Sequence, residues 1–325
     1  QERLDNGIVQ ITVHDFQGIV RNGLVPPKHL LKYVLEQKKV WGEYAFYLWY
    51  TYPAYGQLAR AGVWQKVTYD CSDLWTNALH SRIKALNAIK SRMIAHTEKK
   101  IVRSADRCFA SSRYLAAHLS SLKPGAGILV ENGVDFSLFH KRSFPLGNRT
   151  ISQDRPVLGF VGGLKSWKID FQLLLEVVTQ RRDWDLVLVG EPYGEVSPEL
   201  SQLLRQPNVR LHHTVPADEI PSIMSSFGVG IIPYLSNKYT KGVFPLKLFE
   251  YLASGLPVVG CGVPSTKDYC AEGVYEHTAN DPSEFVKACE KAIDCRWDSQ
   301  KMEMRFALAK EADWQKKLAT FMDEL

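Results

Sequence analysis

The chain contains 325 residues, of which 45% are hydrophobic and 23% charged, and this is ordinary for a globular protein of two domains. No apolar run approaches the roughly 18 residues of a membrane-spanning helix, and the six cysteines form no CxxC pair, which argues against a bilayer span, a zinc site and a disulfide framework. Residues 1–150 carry 21 Lys and Arg against 11 Asp and Glu, whereas residues 151–325 carry 19 against 24. The basic half is expected to face an anionic partner, with a merely solvated surface as the alternative.

The first half reads as an α/β domain. Strands are predicted at Ile8–Val13, Tyr44–Tyr50 (buried), Val67–Tyr69, Cys108–Ser111 and Gly127–Val130, and helices at Asn77–Arg103 and Arg113–Leu122. The apolar stripe of the long helix is predicted to consist of Leu79, Ile83, Leu86, Ile89 and Met93. A doubly wound domain normally opens with an apolar strand followed by a glycine-rich turn and a helix, so we expect at least one βα unit, of roughly 30 residues or more, to be missing here.

The second half alternates strands and helices after a polar segment, 140–155, that we interpret as a linker. Strands are predicted at Val157–Val161, Trp184–Val189, Val209–His212, Val229–Ile232 and Pro257–Gly260, and helices at Asp170–Thr179, Pro198–Gln206, Pro216–Ser226, Phe244–Ser254 and Pro282–Asp294. Such alternation predicts a parallel sheet covered on both faces. The expected organisation is a first domain at 1–139, a second at 156–298, and a helical segment at 299–325 that crosses back over the first domain.

The segment Val243–Gly260 (VFPLKLFEYLASGLPVVG) carries the strongest chemical signal. Pro245 suits the first turn of a helix and Gly255 the position just past its end. Lys247 then lies in the first turn, next to free main-chain N–H groups, and Glu250 follows on the same face. A diphosphate fits this anion site, and Glu250 could accept hydrogen bonds from a ribose. The alternative is a surface helix on which Lys247 and Glu250 simply pair.

This segment resembles the donor-site signature of GT-B glycosyltransferases, P-x-K-x-x-E-Y-L-A-x-G-x-P-V-V. Four further segments are similar to bacterial exopolysaccharide and teichuronic-acid-type members of that group: VTYDCSDLW (67–75), E…ADRCFASS (98–112), ENGVDFSLF (131–139) and GFVGGLKSWKID (159–170). The resemblance extends from about Ile8 to the C-terminus. It implies an α/β GT-B fold, with two Rossmann-like doubly wound domains facing a cleft, and a metal-independent hexosyltransferase activity in polysaccharide biosynthesis.

The resemblance also implies partners and a location. The donor would be a nucleotide-sugar, with uridine as the expected base, and the acceptor a saccharide or lipid-linked saccharide. No cofactor, metal or nucleic acid is expected. Because the first half is basic, we expect a cytoplasmic protein associated peripherally with the inner face of the plasma membrane.

Several residues are assigned to the donor site. They are Gly162, Gly163, Lys165, His213, Thr214, Asn237, Thr240, Pro245, Lys247 and Glu250. The two glycines allow main chain to approach the ligand, and Lys165 is a second candidate for the phosphates. The main chain around His213 would meet the base, although His213 reads equally well as an ordinary strand end. Asn237 and Thr240 are candidates for contacts with phosphate or sugar hydroxyls.

The acceptor side is assigned to acidic residues, with Lys247 as the catalytic cation. Asp73 follows a strand and is the candidate general base of an inverting reaction; Asp70 is the alternative, and one of the two could cap the following helix. Asp15 is a weaker candidate. Many retaining members carry E-x7-E and His-Asp, where this chain has Gly242 before Glu250 and Ser72 before Asp73, so stereochemistry stays open. A GT-B-fold nucleotide-sugar epimerase and a non-catalytic nucleotide- or glycan-binding module are the rival interpretations.

Overall fold

The structure, a computed structural model, describes residues 2–3, 9–10, 28–40, 42–77, 84–142, 155–194 and 196–324. Contacts divide them into two compact units. Unit 1 contains the described residues up to Ala110 together with Leu115–Leu129, and unit 2 contains Ser111–Tyr114 and the described residues from Val130 onward. Residues 130–139, assigned above to the first domain, therefore pack with unit 2. Asp15, most of the strand predicted at Ile8–Val13 and most of the predicted linker lie outside the described residues.

A parallel sheet forms the centre of unit 1. Its elements are β1 (Glu2–Arg3), β2 (Val9–Gln10), α1 (Lys28–Val40), β3 (Tyr47–Tyr50), β4 (Lys66–Cys71), α2 (Lys84–Ser104), β5 (Arg107–Ala110), α3 (Arg113–Leu122), whose first turn belongs to unit 2, and β6 (Gly127–Leu129). The strands β3-β4-β5-β6 pair in parallel in that order, and β1 pairs with β2 antiparallel. The α/β prediction is confirmed for this unit.

The prediction of a buried strand at Tyr44–Tyr50 is wrong in its burial. β3 begins at Tyr47, and only Tyr50 of its four residues is buried. Tyr44, Tyr47 and Trp49 are 57%, 56% and 41% exposed. The reason is position, since β3 is the edge strand of the described four-stranded sheet and has only β4 beside it.

The long helix is shorter in the structure than predicted, and its buried face is different. α2 begins at Lys84, residues 78–83 lie outside the described ones, and Trp75–Asn77 form a single 3₁₀ turn. Ile89, predicted to pack inside, is 55% exposed. The buried stripe lies further along, at Ile94, Glu98 and Ile101, because the i, i+4, i+7 spacing of these residues matches one helix face.

Unit 2 is built on six parallel strands. Its elements are α4 (Phe136–Arg142), β7 (Val157–Val161), α5 (Phe171–Gln180), β8 (Asp185–Val189), α6 (Pro198–Leu203), β9 (Val209–His212), α7 (Ile220–Met224), β10 (Val229–Pro233), α8 (Lys247–Ala253), β11 (Val258–Cys261), β12 (Tyr275–Thr278), α9 (Pro282–Asp294), α10 (Ser299–Glu311) and α11 (Trp314–Glu324). Helices α5, α6, α9 and α10 begin where Asp170, Ser197, Asp281 and Asp298 accept a main-chain N–H, the usual capping arrangement. The strand β12 was not predicted.

The strand order of unit 2 creates a crevice. The sheet runs β12-β11-β10-β7-β8-β9, so the chain winds outward from β7 in one direction and then returns to its other side. This is the doubly wound order that the alternating pattern predicted. In open sheets of this kind, ligands bind at the carboxyl ends of the two strands where the order reverses, here β7 and β10.

The C-terminal helices are anchored on unit 2. Helix α10 packs on α8 and α4. The fully buried guanidinium of Arg305 donates hydrogen bonds to the main-chain oxygens of Gly273 and Gly255, at 2.7 and 3.0 Å. The crossing of 299–325 over the first domain stays a prediction. None of the helices in the described ranges is both long and apolar enough to span a bilayer.

Candidate active site

Residues from three segments meet at the reversal point between β7 and β10. Gly162 follows β7 directly and Tyr234 follows β10. The ammonium of Lys247, at the start of α8, donates a hydrogen bond of 3.0 Å to the hydroxyl of Tyr234. A Cβ atom on Gly162 would lie 3.3 Å from the same ammonium nitrogen. The structure therefore brings together the predicted Gly162 and Lys247, and it adds Tyr234, which the sequence did not indicate.

The ammonium of Lys247 lies in a largely aromatic environment. Its nitrogen is 5.2 Å from the ring centroid of Phe160 and 5.6 Å from that of Tyr234. Burial lowers the pKa of Lys247, although the nearby Glu250 opposes this. Burial likewise raises the pKa of Glu250, against the influence of Lys247. Removal from water destabilises an ammonium, so an anion that binds here gains from restoring its partner charge.

A second lysine faces the same phenol ring. The ammonium nitrogen of Lys168 lies 4.6 Å from the ring centroid of Tyr234. The predicted second cation, Lys165, lies instead 5.3 Å from the ring of Tyr193 and 5.9 Å from that of Trp167. Both lysines belong to the loop after β7, and sequence spacing alone could not decide between them. Lys168 therefore lies on the same ring as Lys247, and the role of Lys165 at the phosphates stays a prediction.

The glycine turn after β7 is held against the loop after β8. Gly162 has φ +138°, and a Cβ atom on Gly190 would lie 2.3 Å from the main-chain oxygen of Gly162. The N–H of Leu164 donates to the oxygen of Glu191 at 2.8 Å. At Gly163, in contrast, a Cβ atom would make only ordinary contacts, the nearest at 3.6 Å. Close approach within the protein therefore requires glycine at 162 and 190, and the role of Gly163 in admitting the ligand stays a prediction.

His213 and Thr214 lie at the end of β9, two strands from the reversal point. The Nδ1 of His213 is 2.8 Å from the carboxylate of Glu191, and the N–H of Thr214 donates to the same oxygen at 3.4 Å. The hydrogen bond from His213 lowers the pKa of Glu191. Both predicted residues are exposed, and Glu191 fixes the loop that carries them.

The amino end of α8 differs from the prediction. The helix begins at Lys247 rather than at Phe244. Leu248 donates its N–H to the oxygen of Pro245 at 3.2 Å, which makes the preceding residues a tighter turn instead of a first helical turn. Pro245 is buried in this turn. In a helix of seven residues, the lysine ammonium rather than the helix terminus is the main positive charge.

Asn237 and Thr240 shape the loop that leads to α8. The side-chain oxygen of Asn237 accepts the N–H groups of Tyr239 and Thr240, at 2.9 and 3.0 Å. The Asn237 amide donates to the oxygen of Trp167 at 3.0 Å, and the Thr240 hydroxyl donates to the oxygen of Leu235 at 2.5 Å. Thr240 is fully buried. These contacts give both residues a role in holding the loop, whereas direct contact with a ligand stays a prediction.

Three further side chains hold the same loop through its main-chain oxygens. Asn132 donates to the oxygen of Phe244 at 2.7 Å, Ser112 to that of Gly242 at 2.8 Å, and Ser265 to that of Val243 at 2.5 Å. Ser112 and Asn132 belong to two segments, ADRCFASS and ENGVDFSLF, that resemble the glycosyltransferases but to which the sequence assigned no role. Their spacing from the loop, more than 100 residues, hides the contact from any local pattern.

In unit 1, the two candidate carboxylates lie at the carboxyl end of β4. Burial raises the pKa of Asp70, and a hydrogen bond with Trp49 partly opposes this. The main-chain oxygen of Asp73 accepts the N–H of Trp75 at 3.0 Å. Asp73 thus lies just outside the strand, where carboxyl-end loops of parallel sheets carry functional groups.

Beneath them lies a buried network that the sequence did not reveal. The carboxylate of Glu98, only 1% exposed, accepts the hydroxyl of Tyr69 at 2.8 Å and lies 2.9 Å from Nε2 of His118. The hydrogen bond with Glu98 raises the pKa of His118. The buried thiol of Cys71 is 3.9 Å from the same carboxylate, and burial strongly raises its pKa. The network braces β4 against α2 and α3.

Comparison with known proteins agrees with this arrangement. Residues 155–295 match the family described as "Glycosyl transferases group 1". A Bacillus subtilis (strain 168) protein, TuaH, is 40% identical over 276 residues, which is 82% of this chain and 68% of that protein. Its name assigns it to teichuronic acid biosynthesis as a glycosyltransferase.

Solved structures of other proteins share the fold. HepE from Anabaena, in complex with UDP, superposes with a TM-score of 0.68 and 16% identity, over 91% of this chain and 82% of HepE. Sucrose-phosphate synthase from Thermosynechococcus elongatus gives a TM-score of 0.67 and 16% identity, over 92% of this chain and 79% of the synthase. With two α/β units, a lysine-lined reversal point in the doubly wound sheet of unit 2 and the identity to TuaH, the chain belongs to the group 1 glycosyltransferases and has the GT-B fold.

Proposed function

We propose that this glycosyltransferase takes a sugar from a UDP-sugar and transfers it to a saccharide acceptor in the synthesis of a cell-surface polysaccharide. The observation that carries the donor assignment is the convergence of Lys168 and Lys247 on Tyr234 at the reversal point. Support for uridine comes from HepE, solved with UDP and with UDP-glucose. Support for the polymer comes from the name of TuaH.

The proposed chemistry is breakage of the bond between the anomeric carbon and the diphosphate oxygen. Negative charge accumulates on the leaving diphosphate, and the ammonium groups of Lys247 and Lys168 would stabilise it without a metal ion. Glu250, one turn along α8, would accept hydrogen bonds from the ribose. Preorganised cations in a partly buried site need little rearrangement as this charge develops, which is how such groups lower a barrier.

On the acceptor side, we assign the role of general base to Asp73. In an inverting reaction its carboxylate would accept the proton of the attacking hydroxyl while the new glycosidic bond forms. In a retaining reaction the leaving diphosphate would take that proton, and Asp73 would only orient the acceptor. Stereochemistry of the product, determined by NMR of the anomeric proton, separates these two cases.

The donor assignment can be tested by binding and by product analysis. Thermal shifts with UDP, GDP and ADP should single out UDP, because a ligand of the folded state raises apparent stability. Lys247→Met should abolish the UDP shift, whereas Lys241→Met, at an exposed lysine of the same loop, should preserve it. No shift with any of the three nucleotides, or conversion of a UDP-sugar into its epimer without an acceptor, would contradict the proposal.

We further propose a lipid-linked acceptor and peripheral binding to the cytoplasmic face of the membrane. Residues 1–150 carry an excess of basic over acidic side chains, and exposed ones follow α2 at Arg92, Lys99, Lys100 and Arg103. Anionic headgroups attract such residues, and salt screens the attraction. Lys99→Gln with Lys100→Gln should weaken sedimentation with phosphatidylglycerol vesicles. Lys287→Gln with Lys291→Gln, on exposed positions of α9, should not.

A further inference from the structure

A basic cavity lies in unit 2 near the amino ends of its strands, opposite the candidate active site. It has a volume of about 250 Å³ and is lined by Arg155, Arg182, Asp185, Pro207, Asn208 and Arg210. Asp185 is the first residue of β8, whereas the candidate active site lies beyond the last residues of the strands. Strand β8 has five residues, and each adds about 3.3 Å to its length. The two ends of this strand, and with them the two sites, are therefore roughly 15 Å apart. The proposed donor site does not use this cavity.

The charges around the cavity do not balance. Arg155 donates to one oxygen of Asp185 at 3.0 Å, and Arg210 lies 3.4 Å from the other oxygen. The guanidinium of Arg182 makes no hydrogen bond to any described residue. The lining therefore contains three guanidinium groups and one carboxylate, although the half of the chain that carries it has more acidic than basic side chains. The charge of Arg155 also acts on Asp183, outside the lining.

Within the described ranges, these contacts leave some guanidinium N–H donors of the cavity without a protein acceptor. A guanidinium carries five N–H donors and no acceptor. Asp185 has only two oxygens, and Arg155 directs one further nitrogen to the main-chain oxygens of Arg182 and Trp184. The remaining N–H groups of the three arginines point to an acceptor with several oxygens and negative charge.

The wall of the cavity is fixed before any ligand arrives. The buried amide of Asn208 donates to the main-chain oxygens of Trp184 and Val178, at 2.9 and 3.1 Å. Its neighbour Pro207 has a restricted backbone. A rigid wall beside planar guanidinium groups suits oxyanions such as phosphate, which arginine binds through paired hydrogen bonds.

We propose that this arginine cavity binds a phosphate group, either of a small phosphorylated molecule or of a lipid headgroup. The site would be independent of the donor diphosphate, because the two lie at opposite ends of the parallel strands of one sheet. Its occupant would carry at least one terminal or diester phosphate, small enough for about 250 Å³.

Titration calorimetry with inorganic phosphate and pyrophosphate tests the proposal, at constant ionic strength maintained with chloride. The Lys247→Met chain serves as the background, so that binding at the donor site is weakened. In this background, Arg182→Ala with Arg210→Ala should weaken binding about tenfold or more, since charge-assisted hydrogen bonds are lost. Arg205→Ala, at an exposed arginine outside the cavity, should leave binding unchanged.

A parallel assay separates the two sources of phosphate. Sedimentation with phosphatidylglycerol vesicles that weakens in Arg182→Ala/Arg210→Ala, but not in Arg205→Ala, assigns the cavity to a headgroup, and a loss confined to phosphate or pyrophosphate assigns it to a soluble ligand. The single variant Arg182→Ala guards against misfolding, because that side chain bonds to no described residue. If the double and single variants bind phosphate, pyrophosphate and vesicles as their parent does, or the parent binds none of them, the proposal is overturned.

Discussion

The side-chain amide of Asn132 donates a 2.7 Å hydrogen bond to the main-chain oxygen of Phe244 and so ties the Asn132-Gly133 turn to the segment that leads into α8. Ser112 does the same for Gly242, at 2.8 Å. The lysine that opens α8 is thus positioned by residues far away in the sequence. Both bonds end on main-chain oxygens of the loop before Lys247, so we expect both side chains to act on the reaction through the loop.

Loss of either contact should weaken donor binding. We expect Asn132→Ala and Ser112→Ala to lower the free energy of unfolding by about 1 kcal/mol each, because a buried main-chain oxygen loses its partner. The KM for the UDP-sugar should rise more than kcat falls. Ser226→Ala, which removes an exposed hydroxyl bonded within its own turn at 2.8 Å, is the matched control. Unchanged donor KM in both variants would refute the role of the loop contacts.

The two glycines after β7 should respond differently to alanine. Gly162→Ala places a Cβ atom 3.3 Å from the Lys247 ammonium at a positive φ, so we expect both reduced turnover and a stability loss of about 1–3 kcal/mol. Gly163→Ala meets only ordinary contacts within the protein and should keep the stability of the parent. Urea unfolding and transfer kinetics on both variants check this pair. Equal behaviour of the two would contradict the close approach at Gly162.

Lys247 should matter for rate rather than for folding. We expect Lys247→Met to reduce kcat by about 10²–10³, the usual effect of removing one preorganised charge-stabilising group. The free energy of unfolding should change little, because relief from burying the ammonium is offset by the loss of its favourable interaction with the carboxylate of Glu250. Transfer rates and chemical denaturation, measured on the same preparation, separate the two effects. A large loss of stability together with rate would instead indicate a structural role.

The contact between His118 and Glu98 should make stability depend on pH. The pKa of His118 is raised in the folded chain, so the folded state holds this proton more tightly than the unfolded one. The stabilisation is fully present below the unfolded pKa of about 6.5, and it is lost as pH rises through the higher folded pKa. The difference in unfolding free energy between the parent and His118→Gln should therefore be larger at about pH 5.5 than at about pH 9. Parallel pH profiles would contradict it.

Replacing the two carboxylates at the end of β4, Asp70 and Asp73, should have different effects on kcat. If the enzyme inverts, Asp73→Asn should lower kcat by about 10²–10⁴ while the donor KM changes little. Asp70→Asn should reduce activity less, because Asp70 hydrogen-bonds to Trp49 within the sheet. Ser72→Ala between them serves as a control. The reverse ranking of the two variants would move the base to Asp70.

Sequence patterns were most informative where neighbours in the chain are neighbours in space. The alternating segments predicted the strands of unit 2 closely, and the signature at Val243–Gly260 placed Lys247 at the start of α8. The same patterns overestimated α8 by three residues at its amino end, because a proline turn resembles a first helical turn in sequence. They also placed Ile89 in the core, because the phase of a stripe depends on which neighbour the helix meets.

Contacts between distant segments were beyond the reach of pattern analysis. The sequence contains Lys165 and Lys168 three positions apart, and only the path of the loop after β7 decides which one approaches Tyr234. Tyr234 itself follows an ordinary buried strand. The link between Asn132 and Phe244 spans 112 positions and leaves no local signal.

With the proposed UDP-sugar as donor, the two ammonium groups facing the ring of Tyr234 would also affect the end of the catalytic cycle. When the sugar leaves, the phosphate to which it was bonded becomes the terminal phosphate of UDP and gains negative charge. We therefore expect the two ammonium groups to bind UDP more tightly than the UDP-sugar. We expect departure of UDP to pace turnover and UDP to act as a strong competitive inhibitor. The enzyme would then depend on a phosphatase that clears UDP from its surroundings.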